Sequence, residues 1–378
     1  MNTATDYKGL IYSTQQTTLH TESQYWKYGI VHNDKKIVDA HLHYGCFVLG
    51  YTGNDEFLDR VHERLKSTKP EIADNFFGPA QPLRINHASY ELADKLFNLS
   101  GGYRSFFALS GSDANEGAVK LASAYHHCRG QLQRNRVVSI ANSYHGSTWL
   151  TKNLSKPTQK LYTLDLDSNF VKINTDFDVE SIDWNTVCCM VIETCSWARG
   201  LEPYNEEFWQ RVAYVQKQHD VIVIIDDIFT GGGKTGNFFG WKCLPVEPDI
   251  FTMGKGITAG HYPLSMTLYN QRIHDSLPKT FRWEHGFTYS FSLPGVVSVL
   301  EFLSLLEQQS LLSRHEQIAC QARSIFENNR YQVQNQFGLM LAVRTPMGPS
   351  QFVIPLNADQ DYFDTLDKNL KNHDFYRI

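Results

Sequence analysis

Val221-Ile222-Val223-Ile224-Ile225-Asp226-Asp227 is the stretch that decides the fold. Five consecutive β-branched residues make a strand that is apolar on both faces, the signature of a sheet covered by helices on either side. The strand ends in two carboxylates, which are costly at the edge of a core unless a positive partner awaits them. To either side of it, similar runs recur at Ser105–Leu109, Arg136–Ile140, Val187–Ile192, Ile250–Met253 and Leu264–Leu268. Between and around them lie segments with apolar residues three or four apart, notably Ala114–His127, Glu206–Lys217 and Pro294–Leu306. Such alternation predicts an α/β domain with a mostly parallel sheet. Ligands of these sheets sit beyond the carboxyl ends of the strands.

The residues at those carboxyl ends are therefore the ones to weigh. Ile250-Phe251-Thr252-Met253 runs into Gly254-Lys255-Gly256. A lysine between two glycines after a buried strand lies where backbones approach closely. Its amine can be made nucleophilic by burial; an exposed turn lysine is the plainer alternative. Asp226 can hold a protonated ring nitrogen or simply cap the next turn. Ser110-Gly111-Ser112-Asp113 joins a strand to a helix and offers N–H groups for an anion, or an ordinary N-cap. Gly231-Gly232-Gly233-Lys234-Thr235 is no P-loop, because Ile228 stands where that motif needs its first glycine.

The chain has 378 residues, 42% hydrophobic and 20% charged, enough for more than one packed unit. A net charge of -5 without any basic block argues against nucleic acid as a partner. The polar start, Met1 to Asp6, has no signal-peptide core, and no apolar run is long enough for a membrane span. Seven cysteines without a CxxC pair argue against a disulfide framework or a metal site, so the expectation is a cytoplasmic protein with no metal.

Taken together, the segments resemble class III aminotransferases, a fold type I branch of the pyridoxal-phosphate (PLP) enzymes. Ile225 to Gly236 is similar to the family's (A)DEVQTGFGRTG, and Pro248 to Gly256 to its PDI-x-x-x-GK-G. Ser110 to Glu116 differs from SGSEANE only at Asp113; Tyr144-His145-Gly146 matches YHG, and His285 to Tyr289 matches HG-x-T-Y. The five elements occur in family order. The resemblance implies a seven-stranded large domain (51–293) and a small α/β domain built from both chain ends (1–50 and 294–378). It also implies PLP as cofactor, held by Lys255 as a Schiff base, with Asp226 on the ring nitrogen. Ile228 and Tyr144 would flank the ring, Gly111 and Ser112 would hold the phosphate, and Glu193 would stand nearby. Thr288 would reach the phosphate of a neighbouring subunit, implying a homodimer with shared active sites.

Within the class, Val38 to Tyr51 is most similar to the diaminopelargonic acid aminotransferases of biotin synthesis. Their paired tryptophans read Tyr44 and Gly45 here, which implies a pocket widened at Gly45 and lined by Tyr44. The family's DEVQ glutamine reads Phe229. The C-terminal region that carries a carboxylate-binding arginine in many relatives is short, leaving Arg199 and Arg344 as candidates for that role. Amino transfer between a small-molecule amino donor and a carbonyl acceptor is the leading expectation. An aminomutase, racemase or decarboxylase on the same scaffold, or a non-catalytic binding protein, are the alternatives.

Overall fold

In the computed structural model, residues 24–32, 34–52, 54–68, 86–156, 169–345 and 348–373 are described. A small antiparallel sheet opens the described chain: β1 (Gln24–Trp26), β2 (Gly29–His32) and β3 (Lys35–Val38). The central sheet comes next, with β4 (Arg104–Ala108), β5 (Arg136–Ile140), β6 (Phe170–Ile173) and β7 (Val187–Glu193). It is completed by β8 (Ile222–Asp226), β9 (Ile250–Met253) and β10 (Ser265–Tyr269). A third sheet is antiparallel: β11 (Gln332–Phe337), β12 (Met340–Thr345) and β13 (Gly348–Val353).

The seven central strands run in the order β4-β10-β9-β8-β7-β5-β6. Five of them, β9 to β6 in that order, pair in parallel, while β10 is antiparallel to both β9 and β4. This is the mostly parallel α/β sheet that the apolar runs predict. The edge strand β6 is only partly buried and carries Lys172, so it lacks the continuous apolar signal of its neighbours.

Register places the functional side chains. Glu193 of β7 pairs with Asp226 of β8, and Asp226 with Thr252 of β9. Three strand ends therefore stop at one level, and the Gly254-Lys255 turn begins two residues after Thr252. The helix Gly111–His127 starts directly after β4, with the Ser110 hydroxyl accepting from the Asp113 N–H at 3.2 Å. It packs across β9 and β10.

The two ends of the chain meet. Lys27 and Lys36 bridge to Asp359 and Asp361 at 2.8 and 2.7 Å. The buried Asn369 side chain accepts from the Val38 N–H (2.8 Å) and donates to the Lys36 carbonyl (3.0 Å). Exposed ion pairs add little stability. The apolar contact of Tyr28 with Tyr362, both fully buried, contributes more.

Candidate active site

A cavity of about 600 Å³ opens at the carboxyl ends of β7, β8 and β9. Lys255, Asp226, Glu193, Ile228, Gly111, Ser112, Tyr144 and Tyr44 all line it. Eight of the residues singled out from sequence, spread over more than two hundred positions, thus share one wall.

Asp226 is 6% exposed and densely bonded. Its Oδ2 accepts from Asn115 Nδ2 at 2.7 Å and from His145 Nδ1 at 2.8 Å, and its Oδ1 accepts from the Ile228 N–H at 3.1 Å. A carboxylate only accepts, so Nδ1 of His145 carries the proton in this contact. Asn115 is fixed in turn by the Thr252 hydroxyl (2.7 Å) and the His145 carbonyl (2.8 Å). Neither Asn115 nor His145 received a role from sequence, although both stand inside the quoted SGSDANE and YHG elements. The adjacent Asp227 turns the other way, accepting from Thr194 (2.9 Å), the Gly240 N–H (2.7 Å) and Thr230. Burial pushes its carboxyl up to about 6.

Lys255 sits in the left-handed backbone region at φ 51°, a strained position for a side-chain-bearing residue. Its Nζ lies over the Phe229 ring, 5.1 Å from the centroid. Burial pushes the amine below its ordinary value, while Cys46, Asp226 and Glu193 pull it back up. Gly111 packs against Ile228: a Cβ there would lie 2.9 Å from Ile228 Cγ2. The Ser112 hydroxyl accepts from the Ser147 N–H at 3.0 Å. Tyr144 is 54% exposed at the cavity rim, with its hydroxyl 3.1 Å from that of Ser147.

Glu193 is nearly buried, and its Oε2 accepts a long 3.4 Å contact from the Tyr144 N–H. Burial pushes its carboxyl up to about 7, against the pull of His145 and Ser196. A folded-state value above the ordinary 4.5 means that the native state holds this proton longer than the unfolded chain. The stability it contributes is present below pH 4.5 and is lost as pH rises through 7. Cofactor-free protein is expected to lose at most about 3 kcal/mol relative to Glu193→Gln across that window. Urea unfolding of both proteins at pH 5 and pH 8 checks this; a gap that does not change with pH contradicts it.

Other residues singled out from sequence stand away from this wall. Gly45 does not widen the cavity: a Cβ on it would lie 3.2 Å from Phe229 Cε2 and 3.6 Å from Lys234 Cε. The space is occupied from the far side by Phe229, so the two departures from the family pattern, at Gly45 and Phe229, face each other. Arg344 lies on the exposed side of β12 and lines a separate depression with Asn329, Tyr331 and His373. Arg199 stands behind the cavity wall, paired with Glu202 at 3.0 Å and 4.9 Å from the Tyr204 ring; its neighbours Trp197 and Ala198 reach the cavity. Thr288 is on an exposed turn outside the cavity, between Phe287 and Tyr289. Lys234 of the glycine run is fully buried, donating to the Gly231 and Gly45 carbonyls at 2.6 and 3.4 Å. Among the described residues no cluster of His, Cys, Asp or Glu could hold a metal ion.

The chain belongs to the class-III aminotransferases: the family Aminotransferase class-III matches residues 30–349. An uncharacterized aminotransferase of Bacillus subtilis is 28% identical over 306 residues, 74% of this chain and 65% of that protein. An acetylornithine aminotransferase of Haemophilus ducreyi is 31% identical over 229 residues, 58% of this chain and 56% of that protein. The chain thus spans a little over half to about two thirds of the length of these curated relatives. Among solved structures, the PMP-bound aminotransferase of Vibrio fluvialis superposes with a TM-score of 0.83 at 20% identity, covering 97% of this chain and 95% of that one. A transaminase of the marine bacterium Virgibacillus gives 0.82 at 19% identity over 97% and 96%. These likenesses establish the fold type I architecture.

PLP is the cofactor of this family, and the residues present fit it. A buried amine, a carboxylate at the cavity wall and a helix N-terminus beside Gly111 and Ser112 match an aldehyde, a ring nitrogen and a phosphate. His145 Nε2 is buried without a hydrogen-bond partner at the cavity wall, a further polar atom that a bound group would satisfy.

Proposed function

We propose that the chain is a PLP-dependent aminotransferase, moving an amino group from an amino donor to a keto or aldehyde acceptor. The observation that carries this reading is the convergence of Lys255 and the triply bonded Asp226 on one cavity. Bound PLP supplies an electron sink that weakens the bonds at the amine-bearing carbon. Lys255, with its amine pushed down by burial, would hold the cofactor's aldehyde carbon through Nζ and, once displaced there by the incoming amine, would carry a proton at that same atom. Asp226 would keep a positive charge on the ring nitrogen with its carboxylate, which Asn115 and His145 hold still. Gly111 and Ser112 would anchor the phosphate and Ile228 and Tyr144 would flank the ring, with Glu193, its carboxyl pushed up to about 7 by burial, beside it.

The finer reading is a biotin-pathway acceptor, 8-amino-7-oxononanoate, which rests on the Val38–Tyr51 segment. A homodimer with shared sites belongs to the same reading. Thr288 then reaches across from a turn whose Phe287 and Tyr289 are 48% and 69% exposed, apolar surface that a second copy would cover. All seven cysteines are free, which suits a reducing cytoplasm, and among the described residues no helix is long and apolar enough to cross a membrane. Incubation of the PLP-loaded protein with an amino donor is expected to release its keto product, and 8-amino-7-oxononanoate to be aminated in the second half. Donor consumption without a keto product would point to a different PLP reaction.

A further inference from the structure

His285 opens the His285 to Tyr289 element, yet it is not among the residues that line the cavity. It is 4% exposed and wedged among Phe106, Trp283 and Phe287, each with its ring centroid 5.8 Å away. Its ring meets one face of the helix Gly111–His127, the face that carries Asp113, Gly117 and Lys120. Gly117 makes room for it: a Cβ there would lie 3.1 Å from His285 Cδ2. The two ring nitrogens then meet opposite partners. Nε2 donates to the Asp113 carbonyl at 3.2 Å, with Oδ1 of the same residue 2.9 Å away. A carbonyl only accepts, so Nε2 carries the proton, and Nδ1 accepts from Lys120 Nζ at 3.0 Å.

This chain of bonds ends at the helix start that faces the cavity. Asp113, where Ser110 to Glu116 departs from the family pattern, is buried in the first turn of that helix. Its Oδ2 accepts from the Leu109 N–H at 3.0 Å, and its own N–H donates to Ser110 Oγ at 3.2 Å. Asp113 therefore ties down the donors on either side of Gly111 and Ser112. Its negative charge has a cost there, because it competes with a bound phosphate for the positive end of the helix and repels it. Lys120, one imidazole ring away, supplies a compensating positive charge. Three residues beyond His285, Thr288 sits in a turn closed by the Phe287 N–H on Ser290 Oγ at 2.8 Å. The same ring thus steadies both segments to which a phosphate contact is assigned.

We infer that Lys120, His285 and Asp113 form a directed hydrogen-bond relay that fixes the helix start and offsets its carboxylate, so that Gly111 and Ser112 can take the phosphate of PLP. His285 is a positioning residue in this scheme and acts through Asp113. This rests on the proposed PLP reading. Truncating His285 leaves the Asp113 charge uncompensated, which weakens a ligand that carries a phosphate and spares one that does not.

The test titrates cofactor-free protein with PLP and with pyridoxal, which lacks the phosphate, and reads a dissociation constant from the visible band of each complex. The native protein is expected to bind PLP at least about a hundredfold more tightly, the scale of two charge-assisted hydrogen bonds. In His285→Ala, PLP is expected to weaken about tenfold and pyridoxal less than about twofold. His285→Gln offers one donor and one acceptor in place of the ring nitrogens and is expected to stay within about threefold of native for PLP. Lys120→Met, at an exposed position, removes the positive charge alone. It is expected to weaken PLP about threefold, which keeps the inference testable if His285→Ala does not fold. Equal weakening of both ligands, or unchanged PLP affinity in His285→Ala or Lys120→Met, overturns it; so does a His285→Gln protein as weak as His285→Ala. A native protein that gives no band with either ligand overturns the PLP reading as well. One that binds pyridoxal as tightly as PLP overturns the relay alone.

Discussion

Lys255→Ala is expected to lower amino transfer by at least about 10³-fold, the largest effect of any single substitution in this chain. No other lysine among the residues lining the cavity can take over. Lys234, whose amine burial pushes down to about 7, is the nearest rival in character. It is fully buried, however, and its Nζ is engaged by the Gly231 carbonyl at 2.6 Å. The fold should survive the change, because truncating Lys255 removes a desolvated amine rather than a core contact. Steady-state transfer rates and far-UV circular dichroism of the variant together check both halves of this expectation. Turnover close to that of the native protein would remove Lys255 from the chemistry.

The second large effect is at Asp226, where two variants separate chemistry from structure. Asp226→Ala leaves the ring N–H of His145 and the amide of Asn115 without their acceptor in a buried wall. Each such loss costs about 1–3 kcal/mol, so a fall in stability should accompany the fall in activity. Asp226→Asn keeps the shape and one acceptor oxygen but removes the charge. It costs one buried acceptor instead of two and is expected to be destabilised less than Asp226→Ala, yet to lose about 10²- to 10³-fold in turnover, the range for removing one preorganised electrostatic partner. Thermal unfolding read beside kcat distinguishes the two. An Asp226→Asn protein with native turnover would mean that the carboxylate serves only to orient His145 and Asn115.

The physics of the sheet explains why these two residues stand out from sequence alone while others do not. A buried parallel strand is apolar along its whole length, so the first charge after it marks its carboxyl end. Asp226, Glu193 and Lys255 are all marked in this way, and parallel register then brings their strand ends to one level. The helix start at Ser110 is equally local, because a hydroxyl caps an N–H three residues on.

What escaped depends on contacts between distant segments. Asn115 and Asp226 are 111 positions apart, and nothing in either neighbourhood signals their 2.7 Å bond. Gly45 reads as an opened pocket until Phe229, 184 positions later by their numbers, is seen filling the space. Arg344 reads as a candidate partner for a substrate carboxylate because charge on a strand is visible in sequence. The face on which it lies is set by β12 pairing with β11 and β13, and that face looks away from the cavity. The left-handed turn at Leu42 has no composition signal at all, since Leu, His and Tyr all favour other conformations. It exists because Asp39 holds it from outside, accepting from the His41 and His43 N–H groups.

The chemistry depends above all on Lys255 being the residue to which PLP attaches. Borohydride reduction of the PLP-loaded protein, with proteolysis and mass mapping of the product, tests this attachment without relying on turnover. Attachment at Lys255 predicts one phosphopyridoxyl group per chain, on the peptide containing Gly254-Lys255-Gly256, and none in Lys255→Ala. A label on Lys234 or another lysine, or one that persists in Lys255→Ala, would contradict it.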